Sequence, residues 1–165
     1  MAKTEALRME VLELLPGATL PAAIYREAFA PDGDAEALCE RLFARHGWSG
    51  AWRNGIYPYH HFHATTHEVL GIARGHARVR LGGDEGPLVE IHAGDVIVIP
   101  AGTSHKNEGA SADLSVVGAY PGGRAPDMKK GVPAAALRSM VPLPDADPVY
   151  GAAGPLLRVW GSASA

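Results

Sequence analysis

The chain has 165 residues, 47% of them hydrophobic, and a formal net charge of −3, with a pI near 6.2. That length predicts one domain over residues 1–165. The scattered Lys and Arg, with Lys129-Lys130 as the one adjacent pair, exclude the basic stripe that a nucleic-acid partner or an anionic membrane needs. No apolar run approaches the ~20 residues of a membrane span. Residues 1–8 carry charges where a signal peptide has its apolar core, so a soluble, cytoplasmic protein is expected. The single cysteine, Cys39, has no internal disulfide partner and lies in a helical pattern, which predicts a packed thiol.

Residues 9–15 alternate weakly and predict an early strand, ended by Pro16-Gly17. Residues 20–33 are rich in Pro, Ala and Gly and read as irregular. Asp34 then suits an N-cap for a helix over residues 35–46, with Leu38, Leu42 and Phe43 on its apolar face and Gly47 as its C-terminal stop. This is the one helix the sequence predicts.

From there the period becomes two. Residues 77–81 alternate apolar and charged as a half-buried strand does. The cluster Gly82-Gly83-Asp84-Glu85-Gly86 reads as a turn, and residues 88–92 as the partner strand of a hairpin. Residues 96–99 and 114–120 are further strands, the second stopped by Pro121-Gly122-Gly123. Many short strands punctuated by Gly and Pro indicate an all-β fold, closed or in two sheets. Past Pro121 the chain is rich in Pro, Gly and Ala, and residues 155–160 are apolar enough to return as a last strand. The predicted plan is a barrel core at about 55–120, an N-terminal arm and helix at 1–54, and a C-terminal extension at 121–165.

Two stretches carry the chemistry. In the first, His61 and His63 are two apart, so on a strand both face one cavity while Phe62 faces away. Glu68 follows a turn-prone Ala64-Thr65-Thr66 and can re-enter the same space. In the second, His105 follows the turn signal Pro100-Ala101-Gly102 at the end of an apolar strand. Imidazole nitrogens with one carboxylate oxygen suit a divalent transition metal, whether iron, manganese, nickel, copper or zinc. A six-coordinate ion held by four protein groups keeps two positions open, as catalytic sites do. His67 is the rival to Glu68 for the fourth place. His60 faces away from His61 and suits the rim or a neighbouring strand. His46, His76 and His92 have no ligand geometry.

These stretches resemble the two motifs of the cupin superfamily, G-x5-H-x-H-x(3,4)-E-x6-G and G-x5-P-x-G-x2-H-x3-N. Gly55, His61, His63, Glu68, Gly75, Gly94, Pro100, Gly102 and His105 fill nine of the ten positions. Gly109 stands where the last Asn falls, and Asn107 comes two residues early. The spacing of four residues from His63 to His67 is also allowed for the acidic position, but Glu68 fits the six-residue gap to Gly75. Further segments, among them residues 48–55, Leu81-Gly82-Gly83 and residues 117–121, are similar to the YjlB-type family of small bacterial cupins. The resemblance implies a cupin jelly-roll barrel with one N-terminal helix, holding a metal on His61, His63, Glu68 and His105.

The function expected from this is a metal-dependent enzyme, a dioxygenase or isomerase, acting on a small polar molecule in the barrel cavity. Trp52, Tyr57 and Tyr59 are candidates for its rim. A non-catalytic barrel holding a small ligand or metal, and a metal-free structural remnant, are the alternatives. Small jelly rolls leave sheet edges that need cover, so a homodimer is expected, with the arms at residues 16–33 and 121–150 crossing the two-fold axis.

Overall fold

A computed structural model of the chain describes residues 8–134 and 141–164. The charged start at residues 1–7 and residues 135–140 of the C-terminal extension lie outside the described residues. In chain order the elements are β1 (Met9–Val11), β2 (Ala23–Tyr25), α1 (Ala35–Arg45), β3 (Trp48–Asn54), β4 (His61–Phe62), β5 (Glu68–Arg74), β6 (His76–Leu81), β7 (Leu88–His92), β8 (Val96–Ile99), β9 (His105–Ala110), β10 (Ser115–Pro121), β11 (Lys129–Lys130) and α2 (Pro155–Ser164). They form two antiparallel sheets. One runs β1-β2-β8-β5-β10-β3 and the other β11-β4-β9-β6-β7, the jelly-roll arrangement of a cupin barrel.

The core lies in two layers, one on each face of the six-stranded sheet. Between the sheets, Ile24, Leu70, Ile72, Ile97, Ile99 and Val116 meet Ala77, Val79, Leu81 and Ile91 from the five-stranded sheet. On the outer face Tyr25, Val69, Ala73, Val98, Val117 and Ala119 pack under Cys39 and Phe43 of α1 and Leu156 and Trp160 of α2. That is why β5 reads as a nearly unbroken apolar run while β6 alternates. A strand covered on both faces has no solvent side to mark with polar residues. Gly71 is set by the same packing, because a Cβ there would stand 2.8 Å from the Phe43 ring and 2.9 Å from the Cys39 sulfur. Burial pushes the Cys39 thiol up to about 12, so it is an inert packing group.

The helix α1 forms where its signals place it, with the Asp34 side chain accepting from the Ala37 amide at 3.0 Å and Gly47 left-handed at φ +80°. Its buried residues are Ala35, Glu36, Cys39 and Phe43, with Leu42 packed partly buried against the same core, so the predicted face holds at Phe43 and Leu42 and misses at Leu38, which is half-buried. The hairpin β6–β7 pairs Ala77 with Ile91 and Val79 with Val89, as its alternation predicts.

Other expectations are corrected, and one unpredicted strand appears. The early strand ends at Val11 rather than at residue 15. The stretch 20–33 contains β2, whose Ala23, Ile24 and Tyr25 pair with Val98, Ile97 and Val96 inside the sheet; three apolar residues between turn formers are too few to show a period. The C-terminal extension contributes β11 to the sheet of β4. The run at 155–160 is helical, not a strand, which gives the fold a second helix. Pro155 suits a first helical turn because it lacks only an amide hydrogen that would go unused there. The buried Asp147 carboxylate accepts from the Leu156 amide at 3.1 Å, and Leu156 and Trp160 bury one face at a spacing of four. Among the described residues no helix is long and apolar enough to cross a membrane.

Candidate metal centre

The residues His61, His63, Glu68 and His105 come from both sheets and meet between them. His61 of β4 lies directly across from His105 of β9, with ring centroids 4.0 Å apart. His63 continues the parity of His61 two residues on. Glu68 opens β5 in the opposite sheet and shares the inward parity of Leu70 and Ile72. All four are buried. One nitrogen from each of the three histidines lies within 4.8 Å of the others. One Glu68 oxygen, Oε1, is 3.3 Å from His63 Nε2 and 3.4 Å from His105 Nε2.

The orientation of the rings follows from the backbone. His61 Nδ1 donates to the Tyr59 carbonyl at 3.0 Å, His63 Nδ1 to the Asp127 carbonyl at 2.5 Å, and His105 Nδ1 to the Thr103 carbonyl at 3.2 Å. A carbonyl can only accept, so each Nδ1 carries its hydrogen, and in a neutral ring each Nε2 presents a lone pair. Three such lone pairs and a carboxylate oxygen then face one small space. That arrangement is repulsive unless a positive charge, a shared proton or a metal ion, sits among them. Burial opposes ionisation of Glu68, yet contacts from His105 and His63 hold its carboxyl well below the usual range. Burial likewise opposes charge on His63, and the Glu68 carboxylate outweighs it and raises the pKa. His61, without a carboxylate contact, is pushed down to about 4, chiefly by burial and then by His105.

His67 is placed on the other side of the sheet. Its ring lies 4.7 Å from that of Trp160. Its Nδ1 accepts from the Ala101 amide at 3.0 Å and its Nε2 donates to the Pro142 carbonyl at 3.2 Å. Both nitrogens are occupied, so it has nothing to offer an ion. His60 pairs with Asp84 of the β6–β7 turn at 2.7 Å, outside the cluster. His76 and His92 face each other across β6 and β7.

The cluster forms the floor of a cavity of about 440 Å³, within the usual size of small-molecule sites. Trp52, Ile56, Tyr57, Leu70 and Met128 supply much of its wall. Tyr57 and Met128 are 47% and 46% exposed and mark the mouth. Of the three aromatic rim candidates, Trp52 and Tyr57 line the cavity. Tyr59 stacks on Tyr57 at 5.1 Å and lends its carbonyl to His61. Asn107 ties β9 to this wall: its backbone N–H donates to the Tyr57 carbonyl at 3.0 Å and its side-chain Nδ2 to the Ile56 carbonyl at 3.3 Å.

Two participants escape a reading of the sequence. Tyr120 donates to Glu68 Oε2 at 3.0 Å. Its signal was available, since counting by two from Val116 puts it on the inner face of β10. Asp127 binds the amides of Ala64 and Thr65 and the Thr65 hydroxyl, and so fixes the carbonyl that orients His63. It lies in a stretch without periodicity, and nothing in the sequence marks it.

No protein-family model matches the chain. Among curated proteins, YjlB of Bacillus subtilis (strain 168), described as uncharacterized, is 42% identical over 145 residues, covering 85% of this chain and 86% of its own. The chain belongs to the YjlB family. Its two motifs and two-sheet barrel make the family one of cupins. Solved cupins align more loosely. A double mutant of the QdtA 3,4-ketoisomerase of Thermoanaerobacterium thermosaccharolyticum, in complex with TDP, is 18% identical over 42% of this chain and 56% of its own, with a TM-score of 0.38. Acireductone dioxygenase of Bacillus anthracis, with cadmium in its active centre, is 20% identical over 51% and 57%, with a TM-score of 0.37. A DUF861 family protein of Thermotoga maritima is 18% identical over 66% and 97%, with a TM-score of 0.35. The alignment spans little more than half of the first two of these proteins.

Proposed function

We propose that this YjlB-family cupin binds one divalent transition metal ion through His61, His63, His105 and Glu68 and uses it as an enzyme on a small molecule held in the cavity above. The observation that carries the reading is the triple occupation of Nδ1 by backbone carbonyls. It leaves Nε2 of each ring available in a buried space, with one nitrogen of each ring within 4.8 Å of the others and Glu68 Oε1 3.3 and 3.4 Å from Nε2 of His63 and His105, a donor set that suits a cation. Backbone or carboxylate partners on the far ring nitrogen are the usual support of a ligating histidine. Three neutral imidazoles and one carboxylate leave a residual charge of about +1 on a divalent ion.

When bound, the ion would supply a Lewis acid with open positions for a substrate oxygen. The chain's own residues do the rest. Tyr57 and Met128 frame the entry, Trp52, Ile56 and Leu70 exclude water from the floor, and Glu68 anchors the negative charge. Arg53 also lines the cavity, but its guanidinium is turned to both oxygens of Glu40 in α1, so the ligand's polar groups are expected to be directed at the metal end. The test is elemental analysis of protein purified without a nickel column. About one divalent ion per chain is expected, as for a site with this ligand set. A protein free of metal after expression in supplemented medium, and still free after dialysis against iron, manganese, nickel, copper and zinc, would sink the reading.

A further inference from the structure

The carboxylate of Glu68 has two oxygens, and the structure treats them differently. Oε1 faces His63 and His105. Oε2 accepts from the Tyr120 hydroxyl at 3.0 Å. The Tyr120 oxygen in turn lies 2.8 Å from Trp52 Nε1. An indole nitrogen only donates, so its hydrogen points to Tyr120, and the single hydroxyl hydrogen of Tyr120 is left for Glu68. The direction of the chain Trp52 to Tyr120 to Glu68 is therefore fixed by elimination.

The backbone makes room for it. Trp52 of β3 is the register partner of Gly118 in β10, and a Cβ at 118 would stand 2.1 Å from the indole Cε2. Only glycine lets the ring lie against the strand with its nitrogen on Tyr120. Trp52 and Tyr120 are part of the cavity lining, and Tyr120 meets the His63 ring edge-on at 6.1 Å.

We propose that Trp52 and Tyr120 are positioning residues that hold Glu68 as a one-oxygen ligand, keeping Oε2 off the ion and one of its positions open for substrate. This rests on the metal reading given above. A carboxylate whose second oxygen is free can chelate with both and fill a position that substrate needs. A hydroxyl donor on Oε2 removes that option, and the indole hydrogen keeps the hydroxyl turned the right way. Gly118 is part of the same device, since a side chain there displaces the indole.

The probe is cobalt(II) alone, added to full-length protein stripped with a chelator, with the visible d–d bands and the Kd read together. These bands report the donors around the ion and their geometry. Tyr120→Phe is expected to shift them, as a strained four-membered carboxylate chelate replaces a solvent oxygen, and to weaken binding about tenfold, the lower end of what loss of a ligand's supporting partner costs. Trp52→Phe keeps an aromatic ring in place and removes the donor, and should move both readouts the same way by less. A role in packing alone would leave the bands of Trp52→Phe unchanged. Spectra of both variants that superimpose on the wild type overturn the proposal, whatever happens to Kd. If wild-type protein takes up no cobalt, the metal reading falls and this inference with it. If it takes up cobalt and the variants match it, only the inference falls. Should Tyr120→Phe fail to fold by circular dichroism, Trp52→Phe decides.

Discussion

His67 and Glu68 are neighbours in the chain and both are buried, yet they belong to two different regions of the molecule. His67 lies under α2 on the outer face of the six-stranded sheet, against Trp160, with both ring nitrogens bonded inside the chain. Glu68 lies on the inner face beside the three clustered histidines, and two of them, His63 and His105, bring Nε2 to 3.3 and 3.4 Å from its Oε1. In the first region both ring nitrogens have partners within the chain, whereas in the second each ring commits Nδ1 to a backbone carbonyl and turns Nε2 toward the cluster. Burial alone separates nothing here. The difference lies in where each lone pair goes: a structural histidine spends both nitrogens on the protein, and a ligating one spends only one.

The largest effect that could break this comparison is on metal content. Glu68→Ala should cost at least tenfold in metal affinity, and so should His105→Ala, because even partners behind the ligands are worth 10–100-fold. His67→Ala should leave metal affinity within about twofold while lowering the midpoint of thermal unfolding, since it empties a packed site beneath Trp160. The opposite ranking in metal titrations of the two neighbouring variants would move His67 into the ligand set.

The acid side of the stability curve sharpens the same contrast. Burial lowers the His67 pKa to about 4 from an ordinary 6.5. Below pH 6.5 the unfolded chain takes a proton there that the folded chain refuses, so stability is full above that pH and declines as pH falls toward 4. The integral over that window is about 3 kcal/mol. His67→Gln removes the titrating group, so urea denaturation at a series of pH values should show a shallower decline than wild type between pH 6.5 and 4. Parallel declines in the two proteins would mean that His67 is not buried as a neutral ring.

Much of this was legible in the sequence, for reasons that differ by residue. The cluster was readable by two routes: strand parity put His61 and His63 on one face and Glu68 opposite His67, while the spacing of the cupin motifs chose Glu68 over His67 and added His105. The hairpin of β6 and β7 was readable because one of its faces meets solvent. The helix α2 was not, since a short apolar run shows no period once Pro155 and the buried Asp147 set its start from outside. The short β2 was hidden for a similar reason, being held by pairing with β8 and not by its own composition. Tyr120 was readable in parity but not in role, because its use depends on where Glu68 turns its second oxygen.

The smallest expected effect concerns Asp127, and it tests how far the second region depends on a segment distant in sequence. Its carboxylate accepts from two amides and a hydroxyl at residues 64 and 65, at 2.8 to 3.1 Å. Those bonds lock the turn after His63 to the segment whose carbonyl, on Asp127 itself, receives the His63 hydrogen. They hold the Asp127 carboxyl below its ordinary pKa, although burial works the other way. Asp127→Asn keeps the shape and one acceptor oxygen but loses the charge and part of the bonding. We expect a loss of metal affinity of several-fold, toward the ~10-fold that marks a weakened supporting partner, with His63→Ala as the upper bound. If Asp127→Asn binds metal like wild type while Asp127→Ala does not, the shape of the turn matters and the charge does not. If neither variant differs from wild type in metal titration, the bond from His63 to the 127 carbonyl survives without its anchor, and the backbone of β11 paired to β4 is what holds it.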